Sequence, residues 1–223
     1  LGLTWIRGGA FKPRTNPHSF QGLGEEALKI MKSAGDRYNL KTLTEVMDSA
    51  HCQLVADYVD GLQVGARNFQ NFSLLKKIGE VTADTHQMVL YKRGFAGTIA
   101  EWLAATDYIT DHGNTNVVLC ERGIRTFETA TRFTLDIAAV PVIHKQSLYP
   151  VCIDVSHPAG QRDLVPSLAK AAVAAGADSL MIEVHPNPPV ALSDGPQQLT
   201  PAQFRELVAE LRELAAVLGK KIV

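Results

Sequence analysis

The sequence predicts an α/β protein of the (β/α)8-barrel class. Three observations lead there. Short apolar, β-rich runs alternate with helical segments along the whole chain, which points to one layered α/β architecture. Several of the runs are apolar on both alternating faces, as Val117-Val118-Leu119 and Leu180-Met181-Ile182 are, and such strands belong to parallel sheets covered by helices. Nearly every run ends in charged residues. An open doubly wound sheet gathers its ligand groups near one switch point, whereas a barrel carries them on the C-terminal ends of successive strands.

The runs, in order, are Leu3–Ile6, Thr42–Val46, Gly61–Val64, Met88–Tyr91, Asn116–Leu119, Val151–Val155 and Ser179–Val184. Their ends read Ile6-Arg7, Thr44-Glu45, Ala66-Arg67, Tyr91-Lys92-Arg93, Glu121-Arg122, Asp154-Val155-Ser156-His157 and Glu183-Val184-His185. Between them, Gly24–Tyr38, Ser49–Val59, Thr98–Thr110 and the alanine-rich Leu164–Ala175 are expected to be helical. The last helix opens with Thr200 as cap, Pro201 in the first turn and Gln203 to close a capping box. Its apolar stripe runs Phe204, Leu207, Val208, Leu211, Leu214, Ala215, Leu218. Seven runs stand where a barrel has eight, so the expected architecture is a TIM barrel lacking its first strand and helix in the chain as given. Residues 1–223 would then be a single catalytic barrel domain with about seven of the eight βα units.

Composition narrows the function. The 223 residues carry 22 Lys+Arg and 23 Asp+Glu, a net charge of −1 that removes any bulk-charge case for nucleic acid or an anionic membrane. Apolar residues at 46% allow a sizeable core, and no run approaches the length of a membrane span. Cys52, Cys120 and Cys152 are odd in number, widely spaced and without a CxxC, which predicts packing residues in a reducing, cytoplasmic setting.

The expected rim is strongly basic although the protein is not. Arg7, Lys12, Arg14, Arg67, Lys92, Arg93, Arg122, Arg125 and Arg162 all fall on strand ends or the loops after them. So much gathered positive charge repels itself unless polyanions fill the site, and guanidinium forks bind phosphate and carboxylate bidentately. The loop Gly8-Gly9-Ala10-Phe11-Lys12-Pro13-Arg14-Thr15 joins glycines for close backbone approach to two cations and a hydroxyl, the makings of a phosphate cradle. His157, Glu183 and Asp194 form a candidate metal set whose donors suit Mn²⁺, Fe²⁺, Co²⁺ or Zn²⁺. Each has an ordinary reading as well: a rim histidine, a strand-end charge, an Asp-Gly turn. His185 is a rival ligand on the strand that carries Glu183.

Together these stretches strongly resemble the 3-deoxy-D-arabino-heptulosonate 7-phosphate (DAHP) synthases, type I branch, related to the 3-deoxy-D-manno-octulosonate 8-phosphate synthases. RGGAFKPRTNPHSFQGLG from Arg7, TEVMD from Thr44, QVGARNFQNF from Gln63, YKRG from Tyr91, NVVLCERGIRTFE from Asn116, DVSHPAGQRDL from Asp154 and MIEVHPNPPVALSDGPQQL from Met181 carry the likeness. The resemblance implies a metal-dependent transferase that condenses phosphoenolpyruvate with erythrose 4-phosphate, the first step of the shikimate pathway to aromatic amino acids. It implies phosphoenolpyruvate contacts from Arg7, Lys12, Ala66, Arg67, Lys92 and Arg122, and an erythrose 4-phosphate site at Arg14 and Thr15. Lys92 becomes the expected proton-transfer group, with Arg67 beside it as a second catalytic residue. His157, Glu183 and Asp194 become ligands of a divalent metal, and a homo-oligomer, dimer or tetramer, is expected. Two departures stand out. The family's metal-binding cysteine in a GPCS-like segment has no counterpart here, and Asp154-Val155-Ser156-His157 replaces the usual Asp-Pro-Ser-His. The alternatives are a sibling synthase for another sugar phosphate such as arabinose 5-phosphate, against which the KPRT loop argues, and a non-catalytic remnant that binds phosphorylated ligands.

Overall fold

A computed structural model describes residues 1–223 and divides them into two compact units, Leu3–Val118 and Leu119–Val223, the latter joined by Leu1–Gly2. The boundary falls inside one strand, after Val118.

The unit Leu3–Val118 holds β1 (Trp5–Gly8), α1 (Glu25–Tyr38), β2 (Lys41–Glu45), α2 (Cys52–Ala56), β3 (Gly61–Val64), α3 (Phe72–Thr82), β4 (Met88–Lys92) and α4 (Ile99–Thr110). The strands pair in parallel and in chain order, with Arg7 opposite Leu43, Glu45 opposite Gln63 and Gln63 opposite Leu90. β3 is buried along its whole length, as expected of a strand covered on both faces. Helices α3 and α4 pack so closely that a Cβ on Gly79 would meet the Ile109 carbonyl oxygen at 2.5 Å. Trp102 of α4 is fully buried and donates its indole N–H to the Tyr91 carbonyl at 3.3 Å, while Trp5 on β1 is 39% exposed. Tyr91 donates its hydroxyl to the Phe69 carbonyl at 2.5 Å. Cys52 is fully buried in α2, and burial pushes its thiol up to about 12.

The second unit holds the part of β5 (Val117–Glu121) from Leu119 on, α5 (Ala139–Gln146), β6 (Val151–Asp154), α6 (Ser156–Ala159), α7 (Val165–Ala174), β7 (Ser179–Met181) and α8 (Pro201–Val217). β5, β6 and β7 again pair in parallel and in order, and Cys120 faces Cys152 across the β5–β6 ladder. All three cysteines are buried thiols outside any disulfide, in keeping with a packing role. α8 begins as its sequence predicts: Thr200 accepts from the Gln203 backbone while the Gln203 side chain bonds back to the Thr200 N–H.

Four elements differ most from the sequence expectation. β1 lies two residues further on than Leu3–Ile6, placing Arg7 inside the ladder. β7 stops at Met181 instead of Val184, because the Glu183 N–H turns to the Ser156 hydroxyl at 2.9 Å. Val184 returns to strand pairing only as a parallel bridge to Leu199. Helices α3 and α5, left unassigned by the sequence, are both present. α5 contains Pro141, an apparent breaker, but it falls in the first turn, where its missing N–H has no intrahelical partner to lose. No helix is long and apolar enough to cross a membrane.

Candidate active site

In the unit Leu3–Val118 the predicted cations collect at the C-terminal ends of the strands. The loop after β1 is held by Thr44 at the end of β2, whose hydroxyl accepts the Ala10 N–H at 3.1 Å and donates to the Gly8 carbonyl at 2.9 Å. The Lys12 N–H bonds the Gln21 carbonyl at 2.9 Å, so the loop closes on itself. Its return passes tightly over Ala10. Gly22 takes a φ of 97°, and a Cβ there would stand 2.1 Å from the Ala10 oxygen. This clamp fixes the segment Lys12-Pro13-Arg14-Thr15. Thr15 lies within 3.5 Å of an Arg67 guanidinium nitrogen, which brings together two residues predicted to bind substrate. Arg67 sits in a short 3₁₀ turn, Ala66–Asn68, exposed and over the Phe95 ring at 5.7 Å. Arg7 is half-buried, while Lys92 at the end of β4 is only 4% exposed. Arg93 beside it is buried and donates its Nε–H to the Gly97 carbonyl at 2.7 Å.

One carboxylate stands at this cationic end. Glu45, which the sequence marked as a strand-end charge without a role, is buried and accepts from Gln63 Nε2 at 3.1 Å. Gly65 makes room for it, since a Cβ there would meet Glu45 Oε1 at 2.0 Å.

In the second unit, Arg122 follows β5, is 5% exposed, and lies 4.1 Å over the Phe133 ring. Burial lowers its guanidinium pKa, and the nearby Asp154 carboxylate opposes that shift. The group stays charged and poorly hydrated, which favours a bound anion. Asp154 ends β6, fully buried. Its Oδ1 accepts the His157 N–H at 3.1 Å, and its Oδ2 lies 2.7 Å from His157 Nδ1. The short helix α6 thus presents His157 with Nδ1 against a carboxylate and Nε2 on the opposite side of the ring. Nε2 lies 3.9 Å from Glu183 Oε1. Asp194 completes the group from a left-handed turn with φ of 56°, a conformation that aspartate tolerates. The following Gly195 admits no Cβ, which would meet the Pro188 carbonyl oxygen at 2.6 Å.

Ligand atoms of His157, Glu183 and Asp194 all lie within 4.8 Å of one another. One imidazole and two carboxylates at that separation fit a first-row divalent cation. His185, the rival, turns its Nδ1 to accept the Asn187 N–H at 3.0 Å and stands outside this group. Asp194-Gly195 is therefore both an ordinary turn and a member of this candidate metal group.

Sequence reasoning missed the partners of the three. Gln197 Nε2 donates to Glu183 Oε2 at 2.6 Å, and Arg132 donates to Gln197 Oε1 at 2.9 Å and to Asp194 Oδ1 at 3.1 Å. Asp154 had a local signal, three residues before the histidine, but Arg132 and Gln197 are 65 positions apart and carry none.

The family profile of the DAHP synthetase I family matches residues 2–218. The chain belongs to that family. It is 52% identical to the phospho-2-dehydro-3-deoxyheptonate aldolase of Thermotoga maritima over 222 residues, 100% of this chain and 64% of the relative. It is 34% identical over 216 residues to a 2-dehydro-3-deoxyphosphooctonate aldolase of Caulobacter vibrioides, covering 89% of this chain and 71% of that protein. The crystal structure of the Thermotoga maritima DAHP synthase superposes with a TM-score of 0.94 at 50% identity, covering 100% of this chain and 63% of that one. A truncated form of the synthase from the same organism gives 0.90 at 47% identity and is covered to 79%. The fold class is accordingly that of a partial (β/α)8 barrel, and the chain spans less than two thirds of the length of the Thermotoga relative.

Proposed function

We propose that this DAHP synthetase I family chain condenses phosphoenolpyruvate with erythrose 4-phosphate to give DAHP and inorganic phosphate. The observation that supports this most directly is the convergence of His157 from α6 with Glu183 and Asp194 from the connection between β7 and α8, in a chain of this family. The resemblance of the Lys12-Pro13-Arg14-Thr15 segment to the KPRT element of the DAHP synthases supports the four-carbon sugar phosphate over arabinose 5-phosphate.

In this reading Arg7, Lys12, Arg67, Lys92 and Arg122, with the Ala66 backbone N–H, bind the phosphate and carboxylate of phosphoenolpyruvate. Arg14 and Thr15 bind the phosphate of erythrose 4-phosphate. A divalent cation held by His157, Glu183 and Asp194, whether Mn²⁺, Fe²⁺, Co²⁺ or Zn²⁺, would supply Lewis acidity toward the aldehyde oxygen. C3 of phosphoenolpyruvate forms the new bond to the aldehyde carbon, water adds at C2, and phosphate leaves with cleavage of its C–O bond. Lys92, buried at the end of β4, is the proton-transfer group, and Arg67 fixes the phosphoenolpyruvate beside it. The enzyme would work in the cytoplasm as a homo-oligomer, a dimer or tetramer.

Phosphate release decides the matter. With Mn²⁺ and phosphoenolpyruvate, the protein should release phosphate when erythrose 4-phosphate is added and form a seven-carbon product. Faster turnover of arabinose 5-phosphate would assign it to the sibling synthases. Tight binding of both substrates without turnover would make it a binding protein.

A further inference from the structure

We propose that Gln197 and Arg132 are positioning residues that lock the carboxylate ligands Glu183 and Asp194, and so set the affinity and geometry of the metal site; this rests on the metal-site reading above. Three ligands drawn from separate points of the chain bind an ion well only if their side-chain rotations are already frozen. His157 is held locally by Asp154. One continuous chain of donors reaches both Glu183 and Asp194. Arg132 NH1 serves Asp194 Oδ1 at 3.1 Å and Gln197 Oε1 at 2.9 Å, and Gln197 Nε2 serves Glu183 Oε2 at 2.6 Å.

The polarity of this chain is forced. A guanidinium only donates and an ionised carboxylate only accepts. The Gln197 amide between them must turn its oxygen to Arg132 and its NH₂ to Glu183. Gln197 is 2% exposed, so both of its amide atoms need such partners. It grips Glu183 by Oε2, while the oxygen toward the His157 imidazole is Oε1. Arg132 is itself fixed from behind. It lies over the Phe133 ring at 5.9 Å, and Gly160, at φ 68°, leaves out a Cβ that would stand 2.8 Å from the Arg132 Cβ. Three successive segments therefore act on one site: the loop after β5, the turn after α6, and the 3₁₀ turn Gly195–Gln197.

Arg132 could act in the opposite sense, because a cation this close to Asp194 also repels a metal ion. Binding measurements separate the two effects. Titration calorimetry of the full chain with Mn²⁺ should show affinity falling about 10- to 100-fold in both Gln197→Met and Arg132→Met, with most of it regained in Arg132→Lys. The visible absorption of bound Co²⁺ should change in intensity and position in Gln197→Met, a readout that a purely stabilising residue would leave alone. Arg132 is partly exposed, so its variants carry the test even if Gln197→Met folds badly. Affinity within twofold of the parent in Arg132→Met and Gln197→Met would overturn the proposal, as would tighter binding in Arg132→Met. His157→Ala serves as the control. If the parent protein binds no Mn²⁺, the metal-site reading falls and takes this proposal with it. If the parent binds, His157→Ala does not, and the positioning variants behave as the parent, only the proposal fails.

Discussion

Lys92 and Arg14 are both cations at strand or loop ends of one unit, but their surroundings separate them. Lys92 is 4% exposed at the end of β4, while Arg14 is half-buried in the clamped loop after β1. A buried cation beside the reacting atoms acts on the transition state, with effects on the order of 100-fold or more in rate. Loss of a phosphate contact remote from the reacting carbon removes mainly binding. Lys92→Ala should therefore depress kcat with either substrate saturating, whereas Arg14→Ala should chiefly raise the KM for erythrose 4-phosphate. Steady-state kinetics with each substrate varied in turn checks this, and matching KM-type defects in both would dissolve the division into two substrate sites. His157→Ala should abolish tight Mn²⁺ binding without changing the far-UV circular dichroism. Asp154→Asn should weaken Mn²⁺ binding about 10- to 100-fold by loosening the ring. The three members of the candidate metal group were legible in the sequence because each follows a strand or sits in a recognisable turn. Arg132, Gln197 and Glu45 were not, because their roles come from side chains that meet only after folding.

Helices were readable where their ends announce them. Thr200-Pro201-Ala202-Gln203 spells a cap, and the capping box forms as written. Thr98 does the same for α4, with Glu101 closing the box. α3 was missed although Leu74, Leu75 and Ile78 recur at helical spacing and Asn71 caps it, because Gly79 interrupts the pattern. The structure explains that glycine: it lets α3 sit against the carbonyl of Ile109 in α4. Gly79→Ala would gain up to about 1 kcal/mol of helix propensity, yet its Cβ would sit 2.5 Å from a backbone oxygen. Overpacking costs about 1–3 kcal/mol, so the clash should win and the denaturation midpoint should fall. An unchanged or raised midpoint would mean that the two helices separate at little cost.

At the level of the whole chain, alkaline pH should destabilise the native state. The buried Cys52 thiol is pushed from 9.0 up to about 12, so between those values the folded chain keeps a proton that the unfolded chain releases. Stability then falls as pH rises through that window, with a slope of up to about 1.4 kcal/mol per pH unit for one group. Burial raises the Tyr91 hydroxyl as well, with the same sign. Urea midpoints at pH 7.5, 9 and 10.5 should decline above pH 9, and Cys52→Ala should flatten that decline. The fold class was legible because strand–helix alternation and charged strand ends repeat over the full length, and a repeating signal survives errors of two or three residues at any one boundary. The early end of β7 was not, since it depends on the Ser156 hydroxyl capturing one N–H.

Both tryptophans of the chain lie in Leu3–Val118, Trp102 sealed in α4 and Trp5 partly open to water. The unit from Leu119 onward has no indole at all. Intrinsic fluorescence therefore watches one unit only, with a blue-shifted emitter that acrylamide should barely reach and a redder one that it should quench. Unfolding followed by emission and by circular dichroism should coincide only if the two units melt together. An ion entering among His157, Glu183 and Asp194 does so where no indole lies nearby in sequence. A single tryptophan substituted for Phe133 would give that unit a reporter of its own.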